Sequence, residues 1–353
     1  MSGGVDSSVA AAMLVEAGYN VIGMMLRLWS EPGTSESNRC CSPDAMALAR
    51  RVAGQLGIPF YAVDAQAAFH DTVVQAFIQD YTAGITPNPC ITCNRQIRWG
   101  YLLDHALALG ADALATGHYA RLTTAKNGSI QLRKANDPKK DQSYVLHVLN
   151  QEQLRATILP LGDYSKVEVR AAARSRNIPS ATRSDSQDLC FLAGGDYRDF
   201  LLRHSPAATN PGPIRSTEGE SLGEHRGLAF YTIGQRKGLG LSSPYPLYVV
   251  RKDIHHNQLI VGRAQTLGSQ EMMVAEIYWV AGIAPEHSFR ANVKIRSTAT
   301  ELPALVTPQQ DGNAAIKFDK PVRDITPGQA AVIYDGDICL GGGEIQPFQE
   351  HEV

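Results

Sequence analysis

The sequence predicts two kinds of architecture joined end to end. An α/β unit built on a parallel sheet is expected over residues 1–195, followed by a β-rich half divided near residue 271. Three observations predict it. Short apolar runs alternate with helical periods of roughly 10–15 residues, the pattern of a parallel sheet wrapped by helices. Gly194-Gly195, Ser205-Pro206 and Asn210-Pro211-Gly212-Pro213 then interrupt that rhythm. Beyond them the chain becomes short β-rich runs between Gly, Asp and Asn turns.

The elements follow in order. Small and apolar residues over 7–17, opened by Asp6-Ser7-Ser8 and closed by Gly18, read as a buried helix. Residues 19–28 are an apolar run, 44–56 a helix stopped by Gly57 and Pro59, and 60–63 apolar again. Helices are predicted over 69–81 and 94–109, the second ending at Gly110, and a short strand over 113–116. In the second half, 248–250, 258–261, 291–295 and 330–334 read as strands. The sequence has no internal repeat, heptad run or low-complexity tract.

Composition bounds the function. With 353 residues, 44% of them hydrophobic and 19% charged, the chain has material for buried cores, and about 150 residues per domain predicts two or three of them. Lys+Arg 33 against Asp+Glu 35 gives a net charge of -2, so a polyanionic partner must meet local basic patches. Candidate patches are Arg133-Lys134, Lys139-Lys140, Arg236-Lys237, and Lys294 with Arg296; taken singly, each reads as ordinary solvated surface. Six cysteines are too few for a disulfide-stapled scaffold. Met1-Ser2-Gly3-Gly4 carries neither part of a secretory signal, and no apolar run approaches the ~18 residues of a membrane span. A cytoplasmic protein without membrane contact is expected.

The strongest local signal is Ser2-Gly3-Gly4-Val5-Asp6-Ser7-Ser8. Two glycines let the backbone approach an anion, three serines offer hydroxyls, and the helix that follows presents free N–H groups and a partial positive charge. The run lacks the Gly-Lys-Ser/Thr of a Walker A loop and the Gly-x-Gly-x-x-Gly of a dinucleotide site. Asp6 beside a polyphosphate is repulsive unless a cation such as Mg²⁺ lies between them. A flexible Gly/Ser tail is the competing reading.

Cys90 and Cys93 sit in Asn88-Pro89-Cys90-Ile91-Thr92-Cys93-Asn94, just before the helix predicted from Asn94. A thiol at a helix N-terminus is acidified by the dipole, which favours Cys93 as a thiolate nucleophile. The spacing also permits a dithiol pair, or zinc with Cys40 and Cys41, whose adjacency makes joint ligation awkward. Cys190, between Leu189 and Phe191, and Cys339, before Leu340-Gly341-Gly342-Gly343, each read alone as small core residues. His118, after an apolar strand and Gly117, reads equally as a site group or a satisfied buried imidazole, and His255-His256 as a turn.

The glycine–serine run resembles the loop of the ATP pyrophosphatase (PP-loop) superfamily, whose members cut ATP between its α and β phosphates and attach AMP to a substrate oxygen. Such a loop hangs from a central strand, and the sequence places nothing before Met1 to form it. Further motifs resemble a narrower family, the bacterial tRNA-specific 2-thiouridylases: residues 88–94, Ala115-Thr116-Gly117-His118-Tyr119-Ala120-Arg121, Lys140-Asp141-Gln142-Ser143-Tyr144, Ser186-Gln187-Asp188-Leu189-Cys190-Phe191, residues 234–240, Pro327-Gly328-Gln329 and residues 339–343. They occur in order over nearly the whole chain.

The resemblance implies a PP-loop ATP pyrophosphatase domain (adenine nucleotide alpha hydrolase-like) over 1–195, a small β-rich central domain over 196–271 and a C-terminal β-barrel over 272–353. It implies an ATP-dependent sulfurtransferase that makes 2-thiouridine at the tRNA wobble position. ATP would lie against Met1, Ser2, Gly3, Gly4, Val5, Asp6, Ser7, Ser8, Leu26 and Gly117, with Mg²⁺ and a catalytic role for Asp6. Cys190 would carry a persulfide and Cys93 act as nucleophile, the two forming a transient disulfide. Asn88, Pro89 and Cys90 would meet the target base; His118, Lys140, Asp141, Gln142, Arg296, Ser297 and Gln329 would touch the tRNA. Many relatives have Asp where this chain has Cys90, so no acid-base role carries over to it. The implied partners are Lys, Glu and Gln isoacceptors and a sulfur donor, either a cysteine desulfurase or a relay protein. The alternative enzyme is another PP-loop adenylating ligase or synthetase with a nitrogen nucleophile; a non-catalytic RNA-binding protein is the alternative outside enzymes.

Overall fold

The computed structural model describes residues 1–33, 42–184, 189–192 and 194–347. Cys40, Cys41, Ser186, Gln187 and Asp188, named above, lie outside the described residues. Helix α1 (Val5–Glu16) starts directly after the glycines, with Gly4 as its extended N-cap. Val5, Val9 and its three alanines are buried because small side chains let it lie close to the helix introduced below as α7. Strand β1 (Gly23–Arg27) leads to α2 (Pro43–Leu56), which Ser42 caps through the Ala45 N–H and Gly57 ends in the left-handed conformation. Strand β2 (Phe60–Asp64) then pairs with β1 in parallel.

Helix α3 spans 66–82 and α4 spans 89–108, and both pass through wide turns with i→i+5 geometry, His70–Val74 in α3 and Cys93–Leu102 in α4. Helix α4 starts five residues before the predicted 94 because Pro89 occupies a first-turn position, where its missing N–H costs nothing. The helix-start argument therefore falls on Cys90, and Cys93 lies one turn inside.

Strand β3 (Leu114–Ala115) is followed by the hairpin β4 (Ala120–Thr124) and β5 (Ile130–Lys134), then by the short helices α5 (Ser143–Leu146) and α6 (Gln151–Arg155). Strand β6 (Thr157–Ile158) pairs in parallel with β3, and a capping box at Ser165 opens α7 (Lys166–Ser175). The parallel arrangement is the predicted one, in two pairs, β1–β2 and β3–β6, with helices around them. A helical turn at Cys190–Leu192 and α8 (Tyr197–His204) complete this part.

Next come β7 (Gly212–Ser216), β8 (Ser221–His225), β9 (Tyr248–Asp253) and β10 (Gln258–Gly262), in one sheet of order β8-β7-β10-β9. His255 and His256 form the turn between the last two, as predicted; His256 Nδ1 pairs with Asp253 at 2.9 Å. Six further strands close on themselves: β11 (Ser269–Trp279), β12 (Phe289–Lys294), β13 (Leu302–Pro308), β14 (Ala314–Val322), β15 (Ala330–Asp335) and β16 (Ile338–Ile345). The ring runs β11-β14-β13-β12-β15-β16 and returns to β11. Its interior is filled by alternate residues such as Val274, Val293, Ile316 and Ile333, each about 1% exposed or less.

One pairing crosses the expected boundary. Strand β5 bonds antiparallel to β16, so the 120–134 hairpin adds two strands to the outside of the ring. Arg133 and Lys134 serve that junction: Arg133 pairs with Asp337 at 2.8 Å and Lys134 with Glu301 at 2.6 Å. Their charges are matched within the protein and do not form an open basic patch. Cys339 lies inside the same junction, and burial pushes its thiol far above the ordinary range, as fits a core residue.

Candidate active site

A cavity of about 620 Å³ opens between the two parallel strand pairs and the start of α1. Ser2 and Ser7 of the glycine–serine loop line it, as do Leu26 near the end of β1 and Gly117 after β3. The loop is internally braced. Ser2 N–H donates to Ser7 Oγ at 3.1 Å, and the Ser8 hydroxyl turns back to Gly4 O at 2.8 Å. The Met1 amine donates to Met24 O, tying the loop to β1. A Cβ on Gly117 would stand 2.8 Å from the backbone at Asp6 and Ser7, so only glycine lets the 115–118 turn approach this closely. That backbone cradle beside a helix N-terminus fits a nucleotide phosphate.

Asp6 has a different surrounding from the one its sequence suggests. Its carboxylate accepts from Lys166 Nζ at 2.6 and 2.7 Å and from the Tyr119 hydroxyl at 2.7 Å. The compensating cation is thus an ammonium group at the start of α7, and the pair joins α1 to α7 beneath the loop. Among the described residues no group of three or more His, Cys, Asp or Glu side chains could hold a metal ion.

The same cavity receives the sulfur residues. Cys90, Cys93 and Cys190 line it, Cys90 exposed, Cys93 buried and Cys190 in between. Cys93 and Cys190 come from positions almost a hundred residues apart and meet around one aromatic cluster. Phe191, 1% exposed, packs edge-on to Phe77 at 5.0 Å and against Phe200 at 5.5 Å, which anchors the turn carrying Cys190.

His118 and Arg98 complete the wall. Burial, with the nearby Arg98 guanidinium adding to it, lowers the His118 imidazole to about 3, so it is neutral at physiological pH. Its Nδ1 lies 2.9 Å from Thr116 Oγ1 and its ring 5.4 Å from that of Trp99. Arg98 was missed by sequence reasoning; it falls five residues after Cys93 within the wide-turned part of α4, a spacing that puts both on one wall. Lys166 and Tyr119 were missed as well.

The residues expected at tRNA divide into two groups. Asn88, Pro89 and Cys90 form the lip where α4 starts, Pro89 and Cys90 lining the cavity and Asn88 facing the neighbouring cleft; Gln142 lines the cavity while its Oε1 accepts from Tyr119 N–H at 3.0 Å. Asp141 instead builds its own turn, accepting from Ala135 and Ser143 N–H at 3.0 and 3.2 Å. Lys140 is partly exposed beside it. Arg296 reaches Ile233 O and Thr326 Oγ1, Ser297 is exposed, and the Gln329 amide donates to Thr86 O and Pro87 O.

Residues 1–194 match the family model described as the tRNA methyl transferase HUP domain, 198–263 the tRNA methyl transferase PRC-barrel domain, and 269–345 the aminomethyltransferase beta-barrel domain. A protein of Chloroflexus aurantiacus named tRNA-specific 2-thiouridylase MnmA is 50% identical over 347 residues, covering 98% of this chain and 96% of that one. Proteins of the same name from Moorella thermoacetica (48% identity, 98% of each chain) and Roseiflexus sp. (45%, 98% of this chain and 97% of that one) match equally completely. A nucleotide cradle and two cysteines on one cavity, inside a chain similar to these proteins from end to end, make this protein a member of the tRNA-specific 2-thiouridylase family.

Proposed function

We propose that the protein is an ATP-dependent tRNA sulfurtransferase that replaces the C2 oxygen of the wobble uridine with sulfur. The observation that carries this reading is the single cavity lined by Ser2, Ser7 and Gly117 on one side and by Cys93 and Cys190 on the other. A uracil C2 carbonyl has no leaving group, so exchange needs activation. The C2 oxygen attacks the α-phosphorus of ATP and pyrophosphate departs, leaving C2–O–AMP. The loop N–H groups and the Arg98 charge supply the positive field that such a transfer requires.

The terminal sulfur of a Cys190 persulfide then attacks C2, and AMP leaves with the oxygen. Attack of the Cys93 thiolate on Cys190 Sγ releases 2-thiouridine and leaves a Cys93–Cys190 disulfide, which two electrons from a thiol reductant reopen. Methyl transfer, the activity in two of the family models' descriptions, needs no persulfide and no pair of cysteines. Asp6 serves this scheme by holding α1 to α7 through Lys166. Mg²⁺ would be held by the nucleotide's phosphates, where it would neutralise their charge.

In this reading Met1, Gly3, Gly4, Val5 and Ser8 shape the nucleotide loop, and Leu26 flanks the nucleotide. Asn88, Pro89 and Cys90 meet the base; His118, Lys140, Asp141, Gln142, Arg296, Ser297 and Gln329 belong to the tRNA-facing surface. The division at residues 195 and 271 separates the chemical unit from two units that carry tRNA. The wobble uridines of Lys, Glu and Gln isoacceptors and a desulfurase or relay protein as donor are part of the proposal, as is a cytoplasmic setting; among the described residues no helix is long and apolar enough to cross a membrane.

The test is nucleoside mass spectrometry of tRNA incubated with enzyme, ATP and a persulfide donor. Wild type is expected to form 2-thiouridine and AMP in equal amounts, and Cys93→Ser and Cys190→Ser to lose at least 100-fold. Undiminished product from either variant would overturn the sulfur route.

A further inference from the structure

The turn between β14 and β15 leaves the barrel and reaches the segment that feeds α4. Pro327 O accepts from Thr86 N–H at 3.1 Å. Gln329 Nε2 donates to Thr86 O at 2.9 Å and to Pro87 O at 3.2 Å. Residues 85–88 have no regular structure, and prolines at 87 and 89 remove the N–H groups that would pair locally. Those two carbonyls therefore depend on a partner supplied from elsewhere, and one side-chain amide supplies it.

The amide is itself fixed. Gln329 N–H donates to Thr326 O at 3.1 Å, and Gln329 O accepts from Ile345 N–H at 2.9 Å. Ile325 and Thr326 are 3% and 1% exposed. The Thr326 hydroxyl donates to Asp324 O at 2.8 Å and receives Arg296, whose same nitrogen reaches Ile233 O at 3.1 Å. The middle unit, the barrel and the lead-in to Cys90 and Cys93 are thereby joined through a single turn.

We propose that Gln329 is a positioning residue for thiolation: from the barrel it fixes the Thr86-Pro87 backbone, and through it the Asn88–Cys90 lip and Cys93 at the cavity. This rests on the reading of Cys93 as a reacting thiol. It differs from an RNA contact in one respect, since the effect exists before any tRNA binds.

The experiment measures the rate of Cys93 alkylation by iodoacetamide, read on the Cys93 peptide by mass spectrometry, in RNA-free enzyme. Gln329→Ala and Gln329→Glu, which lack the donor, are expected to alkylate at least threefold faster than wild type. Their kcat for thiolation at saturating tRNA should fall at least tenfold. Gln329→Lys, which keeps a donor of similar reach, is expected to stay within twofold of wild type in alkylation. Thermal denaturation of each variant separates these effects from loss of fold. Unchanged alkylation in folded Gln329→Ala, with only KM for tRNA raised, would overturn the proposal. Absence of 2-thiouridine from the wild-type reaction would instead overturn the function reading and leave the alkylation result standing.

Discussion

The nucleotide-binding end and the barrel solve the problem of strand edges in opposite ways. In the first, two parallel pairs, β1–β2 and β3–β6, leave a cavity of about 620 Å³ between them, and Cys93 and Cys190 both line it. In the second, six strands close into a ring whose interior is filled by aliphatic side chains. Chemistry sits where packing is incomplete, and the closed ring supplies fixed points, such as the 323–329 turn, from which the open region is held.

A glycine in each region tests that contrast most sharply. Gly117→Ala puts a Cβ 2.8 Å from the Asp6–Ser7 backbone, and Gly343→Ala puts one 2.3 Å from Ala275 O across β11 and β16. Overpacking costs roughly 1–3 kcal/mol or more in either place. Only the first should also displace the loop, so ATP-dependent AMP formation is expected to fall about 100-fold in Gly117→Ala, on the scale of a misplaced reacting group. Folded Gly343→Ala should retain it while melting earlier. Equal activity losses in the two would break the distinction.

Lys166→Met comes next. It leaves the Asp6 carboxylate without its cation, in a site where Lys166 is 11% and Asp6 32% exposed. Breaking a fully buried pair costs about 3–5 kcal/mol, and partial solvent access reduces this to roughly 2 kcal/mol. Denaturant unfolding reads the loss, and Asp6→Asn combined with Lys166→Met should recover part of it. Failure to recover would mean that the pair does more than brace α1 on α7.

Acid response is expected to separate the two regions more gently. Burial holds His118 at about 3 and His147, in the wall between α4 and the barrel, at about 4, both below the ordinary 6.5. The unfolded chain takes up these protons first, so stability falls as pH drops below about 6.5, until each folded value is passed. The slope is about 1.4 kcal/mol per pH unit for each imidazole. His147→Gln should therefore lose its stability deficit against wild type by about 2 kcal/mol between pH 6.5 and 5. A gap constant with pH would remove His147 from the acid response. Smallest of all, Arg133→Gln at the hairpin–barrel junction should cost under about 1 kcal/mol, because its pair with Asp337 is about a third exposed.

Much of this was legible in the sequence. Alternation gave the α/β beginning, β-branched runs between turns gave a β-rich second half, and the glycine–serine loop marked one wall of the cavity; the closed barrel and Gly117 came from the family resemblance. What escaped were relations without local signature. Helix α4 begins at Pro89, whose missing N–H costs nothing in a first turn, so the helix-start argument falls on Cys90 and not on Cys93. Lys166 becomes the partner of Asp6 only when α7 lies against α1, 160 positions away in the chain. Arg98 reads as one more surface cation until wide turns rotate it onto the wall of Cys93. Gln329 shows the same limit, since no pattern tells which backbone a side-chain amide will meet.

The pairing of β5 with β16 has a consequence for synthesis. Arg133 and Leu132 leave the ribosome roughly 200 residues before Ile338 and Cys339, their partners. At translation rates of about 5–20 residues per second, the hairpin waits some 10–40 seconds with one hydrogen-bonding edge uncovered. Nascent chains stalled within that interval should be the ones that chaperones bind and proteases cut, and completion of the last strand is the event that ends their exposure.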